Sequence, residues 1–175
     1  MRKLLDRFRN LRGSVKDESG GTLAEMALTM PLLILLLAGV SEIGRYFQAY
    51  TTLAKSTRAA ARYLSNHQYN SIEIGRAKNL VVCGQLTTCT DDQRLVKGAS
   101  VDNVCIQTTK VSGSEQIEFV TVSIPKDPTK TCDANVVATK LLYQPIFNLG
   151  ALLHNDAFAL TYPLAPSTTM RYIPN

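Results

Sequence analysis

The chain has 175 residues, 45% of them hydrophobic and 19% charged, with a formal net charge of +5 and a pI near 9.1. That length allows one ordinary domain plus a membrane segment. The basic excess is concentrated in residues 1–20, and no later stretch interleaves clustered Lys and Arg with aromatics, so the charge speaks for membrane topology and against nucleic acid.

Arg2, Lys3, Arg7, Arg9, Arg12 and Lys16 form a basic leader that ends in Gly20-Gly21. Glu25 follows, and then sixteen uncharged residues, 26–41, run up to Glu42. A spanning helix needs ~20 apolar residues. Residues 21–43 reach that length if Glu25 and Glu42 lie near the two interfaces. A cleavable secretory signal would need a small-x-small site after the run, and only Gly39-Val40-Ser41 offers one. A simple uncleaved anchor leaves Glu25 unexplained, because a carboxylate at membrane depth costs about 2.5–3.5 kcal/mol and calls for a partner. A third reading is cleavage on the leader side of the run, which would leave a new α-amino group near Glu25. A cut after Gly20 makes Gly21 the first residue and Glu25 the fifth, and a cut after Gly21 makes Glu25 the fourth. The new α-amino group, in the same chain or a neighbour's, then balances Glu25, which also meets the positive end of the helix dipole. Pro31 lies inside the run and cannot donate to the carbonyl of Ala27, so a kink or a loosened turn is expected there.

Beyond the run the helix should continue to about Ser65. Ile43, Phe47, Tyr50, Leu53, Ala54, Thr57, Ala61 and Leu64 recur at steps of three and four, a stripe that should lie on an exported domain. Arg45, Gln48, Lys55, Arg58 and Arg62 fall mainly off it. Residues 66–70 break the pattern, and Asn70 with Glu73 predicts a capped start to a short second helix through about Val82. A polar loop to Gly98 follows. Residues 101–109 and 116–124 read as strands joined by a turn at 111–114. Residues 136–147 are a third candidate strand, with Pro145 marking an edge. Residues 149–154 suggest one helical turn, and residues 158–164 a last strand before a frayed, proline-containing tail. The expected fold is α+β: a long N-terminal helix whose far half carries a short helix and a small antiparallel sheet.

Cys83, Cys89, Cys105 and Cys132 all follow the apolar run, which fits two disulfides in an oxidising compartment. Three connectivities are open, and Cys83–Cys89 with Cys105–Cys132 closes the shortest loops. No CxxC pair accompanies His67 or His154, so no metal site is expected. Asp91-Asp92 lacks the pattern of a calcium loop. His154, Asp156 and Ser167 lack a nucleophile motif. No enzymatic activity, cofactor or small-molecule substrate is expected.

The leader, the Gly-to-Glu25 spacing, the apolar run and the segment Ser41-Glu42-Ile43-Gly44-Arg45-Tyr46 together resemble the type IV pilin superfamily, and more closely the TadE-like (TadE/TadF) minor pseudopilins of tight-adherence (Flp) pilus systems. Arg58-Ala59-Ala60-Ala61-Arg62-Tyr63 and Thr169-Met170-Arg171-Tyr172 are similar to that family too, whereas Met26 stands where many relatives have an aromatic residue. The resemblance implies cytoplasmic residues 1–20 removed by a prepilin peptidase, a transmembrane segment 21–43 in the bacterial inner membrane, and a periplasmic remainder, residues 44–65 and 66–175. It implies that Glu25 registers an incoming subunit against its neighbour, and that the partners are other pilins, pseudopilins and the assembly platform. A major pilin of that system resembles a bare helix, which this chain exceeds by ~110 residues. The other reading of the residues is an unprocessed, single-pass, membrane-anchored periplasmic binding domain.

Overall fold

Three or four helical positions per turn bring Glu42, Tyr46, Ala49, Leu53, Thr57, Ala60 and Leu64 to one side of a helix, and that side is the one the fold covers. The computed structural model describes residues 18–127, 132, 138–147, 150–151, 154 and 161–173. The chain divides into two compact units, Met1–Ser41 and Glu42–Asn175. Helix α1, Glu18–Ser65, contributes to both and continues through Pro31. In the first unit its residues from Gly20 to Leu37 are exposed, including Leu23, Leu28, Leu33 and Leu37. The basic leader residues 1–17 lie outside the described residues.

In the second unit, the core takes Leu53, Ala60, Ala61 and Leu64 from α1. The alanines carry no side chain beyond Cβ, which lets neighbouring elements approach the helix closely. The stripe differs from the sequence expectation in its first two turns. Ile43, Phe47 and Tyr50 are exposed, and Glu42, Tyr46 and Ala49 are the covered positions one residue earlier. The physical reason is Glu42: its carboxylate is fully buried and hydrogen-bonded, which turns that edge of the helix inward.

Helix α2, Ser71–Cys83, starts where the Asn70 side chain accepts from the Glu73 backbone N–H at 2.9 Å, as the spacing predicts. It ends on Gly84, whose φ of 71° is the left-handed cap that only glycine adopts without strain. Ala77, Val81 and Val82 face the core. Cys83 pairs with Cys89, and the Leu95 backbone N–H returns to the Val82 carbonyl at 2.9 Å, so the polar loop is tied at both ends.

The sheet has three antiparallel strands, β1 Cys105–Lys110, β2 Ile117–Ser123 and β3 Ser167–Arg171, in the order β1-β2-β3. β1 and β2 form the expected hairpin, turning at Gly113 (φ 78°), with a bulge between Thr109 and Lys110. Val120 and Val122 of β2 and Ile106 of β1 enter the core. The first expected strand starts later than its β-rich composition suggests, because Val101–Asn103 is a 3-10 turn. There the buried Asn103 donates to the Thr139 carbonyl (3.1 Å) and hydroxyl (2.8 Å), a local polar bond that outcompetes a ladder.

The expected strands at 136–147 and 158–164 are not strands where they are described; residues 136–137 and 158–160 lie outside the described residues. They meet in one antiparallel bridge, Leu142 with Pro163, flanked by Tyr143 N–H to the Tyr162 carbonyl (3.0 Å) and Leu164 N–H to the Leu141 carbonyl (2.9 Å). Prolines at 145, 163 and 166 remove donors and keep the pairing short. The third strand instead comes from the segment expected to fray. β3 pairs with β2 from Phe119–Arg171 to Ser123–Ser167, and Ile173 N–H then donates to the Ser65 carbonyl at 2.8 Å, closing the C-terminus of α1. Of the expected turn at 149–154, Gly150 and Ala151 are helical, and residues 149, 152 and 153 lie outside the described residues.

Candidate functional site

Gly20 and Gly21 fall inside the first turns of α1, and a Cβ at either would meet nothing within 4 Å. Neither glycine is there to admit a packed neighbour. Each weakens the helix by roughly 1 kcal/mol relative to alanine. Glu25 lies four residues beyond Gly21 and is exposed, so both occupy one face of the helix. The Thr29 hydroxyl donates to the Glu25 carbonyl at 3.0 Å. Pro31 is exposed within the continuous helix.

From Leu23 to Val40 this segment carries large apolar side chains exposed on all its faces. It is long and apolar enough to cross a membrane, by length and composition. A helix hydrophobic all round and exposed along its length is suited to lipid or to other apolar helices, and not to water.

The second cluster, in the domain, was not anticipated. The Tyr143 hydroxyl donates to Glu42 Oε1 at 2.7 Å and the Ile146 backbone N–H donates to the same oxygen at 3.0 Å. Burial pushes the Tyr143 hydroxyl up to about 12, and the Glu42 carboxylate that accepts its hydrogen bond pushes in the same direction. The Tyr46 ring packs edge-on to Tyr143 at 5.5 Å and to Tyr162 at 6.4 Å. The sequence did contain a signal: Glu42 is in phase with Leu53, Ala60 and Leu64, whereas Ile43 is not.

The four cysteines pair as Cys83–Cys89 and Cys105–Cys132, the shortest-loop arrangement of the three. Asp91 pairs with Arg94 at 2.5 Å across the 3-10 turn Asp91–Gln93, on an exposed loop. His154 is a turn residue at φ 50°, Ser167 opens β3, and Asp156 lies outside the described residues.

Residues 20–62 match the family model described as TadE-like protein. The segment is TadE-like. Its match begins at Gly20 and takes in Gly21, Glu25, Pro31 and the buried Glu42, and it ends at Arg62 within the core-facing half of α1. The TadE-like segment therefore includes the exposed apolar helix and the covered stripe as far as Ala61. No curated protein and no solved structure matches the chain.

Proposed function

We propose that the protein is a minor pseudopilin of a tight-adherence (Flp) pilus machine, a structural and assembly component without a catalytic step. In this reading the leader stays in the cytoplasm and a prepilin peptidase cuts after Gly20. The helix from Gly21 remains in the inner membrane, and the disulfide-bonded unit lies in the periplasm. Assembly then proceeds through the N-terminal helix, with Glu25 balancing the new amine of a neighbouring subunit.

The observation that carries the reading is the coincidence of three features in one TadE-like segment: a glycine pair in an unpacked helical turn, a carboxylate one turn later, and an apolar helix whose side chains are exposed. The two disulfides support an oxidising compartment for the domain. Intact-mass measurement of the membrane-bound protein tests it. An N-terminus at Gly21 is the expected result. A chain that retains Met1 would instead identify an unprocessed anchored domain.

A further inference from the structure

Five exposed apolar side chains gather where the chain enters its folded domain. Ile43, Phe47 and Tyr162 line a 290 Å³ apolar pocket floored by Glu42 and Tyr46. Ile146, whose backbone N–H is held by Glu42, and Phe147 stand beside it, 61% and 55% exposed. Burying the Glu42 carboxylate thus has a cost at the surface, because it rotates Ile43 and Phe47 outward. An adjoining groove of about 500 Å³ takes its charge from Arg45 and Lys97, both cationic, with no carboxylate among its described lining residues.

From this geometry we infer that the collar of Ile43, Phe47, Ile146, Phe147 and Tyr162 is a seat on the phospholipid surface, holding the domain at the level of the lipid headgroups. The inference rests on membrane insertion of the apolar segment proposed above. Three observations favour lipid over a second copy of the chain. Ile43 and Phe47 continue the exposed apolar segment beyond Val40, and Phe47 is only ~6 Å along the helix from Ile43, the end of the 21–43 span. The headgroup region on each side of a bilayer is ~5–8 Å deep, so a helix leaving the hydrocarbon must cross it at these residues. The collar combines one tyrosine, Tyr162, with the wholly apolar rings of Phe47 and Phe147, the mixture that settles where one end of a side chain is dry and the other wet. The cationic groove beside it is complementary to lipid phosphates, and Arg45 and Lys97 can lay their stems on the apolar surface while their heads stay wet.

The chain contains no tryptophan, so Phe47→Trp in the full chain introduces a single indole reporter. The protein is reconstituted in phospholipid vesicles brominated either near the glycerol or deep in the acyl chain. Leu33→Trp serves as the reference inside the apolar segment. The expected result is blue-shifted Phe47→Trp emission quenched most by the shallow bromines, with Leu33→Trp quenched most by the deep ones. If Leu33→Trp is quenched by lipid while Phe47→Trp is reached only by aqueous acrylamide, the seat is overturned and the membrane segment stands. If neither is quenched by lipid, membrane insertion itself fails. Blue-shifted emission from Phe47→Trp that neither bromines nor acrylamide reach overturns the seat in favour of a protein partner. Tyr162→Trp repeats the measurement from the other side of the pocket should Phe47→Trp not fold.

Discussion

Glu42 and Tyr143 lie 101 residues apart in the chain, and the Tyr143 hydroxyl donates to the Glu42 carboxylate at 2.7 Å in a buried setting. The pair fastens the first turn of the domain's share of α1 to the segment that bridges to Pro163. Glu42 Oε2 has no hydrogen-bond partner among the described residues, so the carboxylate depends on what Oε1 receives. Removing the hydroxyl leaves a buried charge held by the Ile146 N–H alone at that oxygen. Tyr143→Phe is therefore expected to destabilise the domain by about 1.5–3 kcal/mol, the range for a hydrogen bond to an ionised group. Urea unfolding of the detergent-solubilised chain measures it. In a Glu42→Gln background, where the charge is gone, the same substitution should cost only about 1 kcal/mol. Equal costs in both backgrounds would mean that the charge is not what the hydroxyl serves.

The same pair sets an alkaline limit. The Tyr143 hydroxyl titrates at about 12, pushed up first by burial and then by its bond to Glu42, against an ordinary 10.0. A raised pKa in the fold means that the unfolded chain releases this proton first as pH rises. The stabilisation is thus complete below pH 10 and is lost between pH 10 and 12. Stability should fall through that window, and Tyr143→Phe should flatten the fall. Tyrosinate absorbance in the native protein should show a late-titrating component that Tyr143→Phe loses, while Tyr63, pushed up by its hydrogen bond to Glu73, titrates late in both. An unchanged alkaline profile in the variant would count against this assignment.

The two disulfides close loops of different length. Cys83–Cys89 spans 6 residues and Cys105–Cys132 spans 27. In the loop-entropy model these correspond to about 2 and about 3.5 kcal/mol. The Cys105→Ala/Cys132→Ala variant should accordingly lose more stability than Cys83→Ala/Cys89→Ala. Cys105 opens β1 and is fully buried with Cys132 and Ala138, so its loss also opens a small apolar cluster. Thermal unfolding of the two double variants decides the order, and a larger loss for the short loop would contradict it.

Much of this was legible in the sequence because local chemistry decides it. Asn70 caps α2 wherever the domain packs, Gly113 turns the hairpin, and the apolar run is helical whether or not anything covers it. The stripe was misread by one residue because hydrophobicity alone favours Ile43 and Phe47 over a glutamate. Only the distant Tyr143 and Ile146 make Glu42 the buried position, and no local pattern announces a partner 101 residues away. β3 escaped notice for a related reason. Ser167–Arg171 is a short polar segment whose pairing to β2 is a tertiary property, with Thr169 facing Thr121 at 2.9 Å between hydroxyls. Of the candidate site, the glycine pair and Glu25 could be read from spacing, whereas the aromatic collar emerged only once Glu42 had fixed the helix rotation.

Ala60 and Ala61 are fully buried on α1 within the core. A larger side chain at either position has no space to enter without moving its neighbours. Ala60→Leu is expected to destabilise the domain by about 1–3 kcal/mol. Ala59→Leu, at an exposed neighbour on the same helix, should stay within about 0.5 kcal/mol of the parent. Urea midpoints of the two variants test this directly. Similar losses at both would show that helix propensity, and not close packing, governs this stretch.

The charge on Glu25 should matter for assembly and not for processing. Glu25 lies one turn beyond Gly21 on the same helix face and is exposed. Neutralising it removes a cost of insertion, so Glu25→Val is expected to enter the membrane and, under the proposed processing, to be cut at the same bond. Under the proposed function, what it would lose is the attraction to a neighbouring amine and to the positive end of the helix. Glu25→Gln keeps the shape and removes only the charge, and it should fail in the same way. The measurement is the fraction of each variant that sediments with pili or cross-links to other pilins, beside the intact mass of the membrane-bound form. A Gly20→Val chain provides the opposite phenotype, retaining the leader at full mass. Parent-like incorporation of Glu25→Val, with its N-terminus at Gly21, would show that the carboxylate has no part in subunit registration.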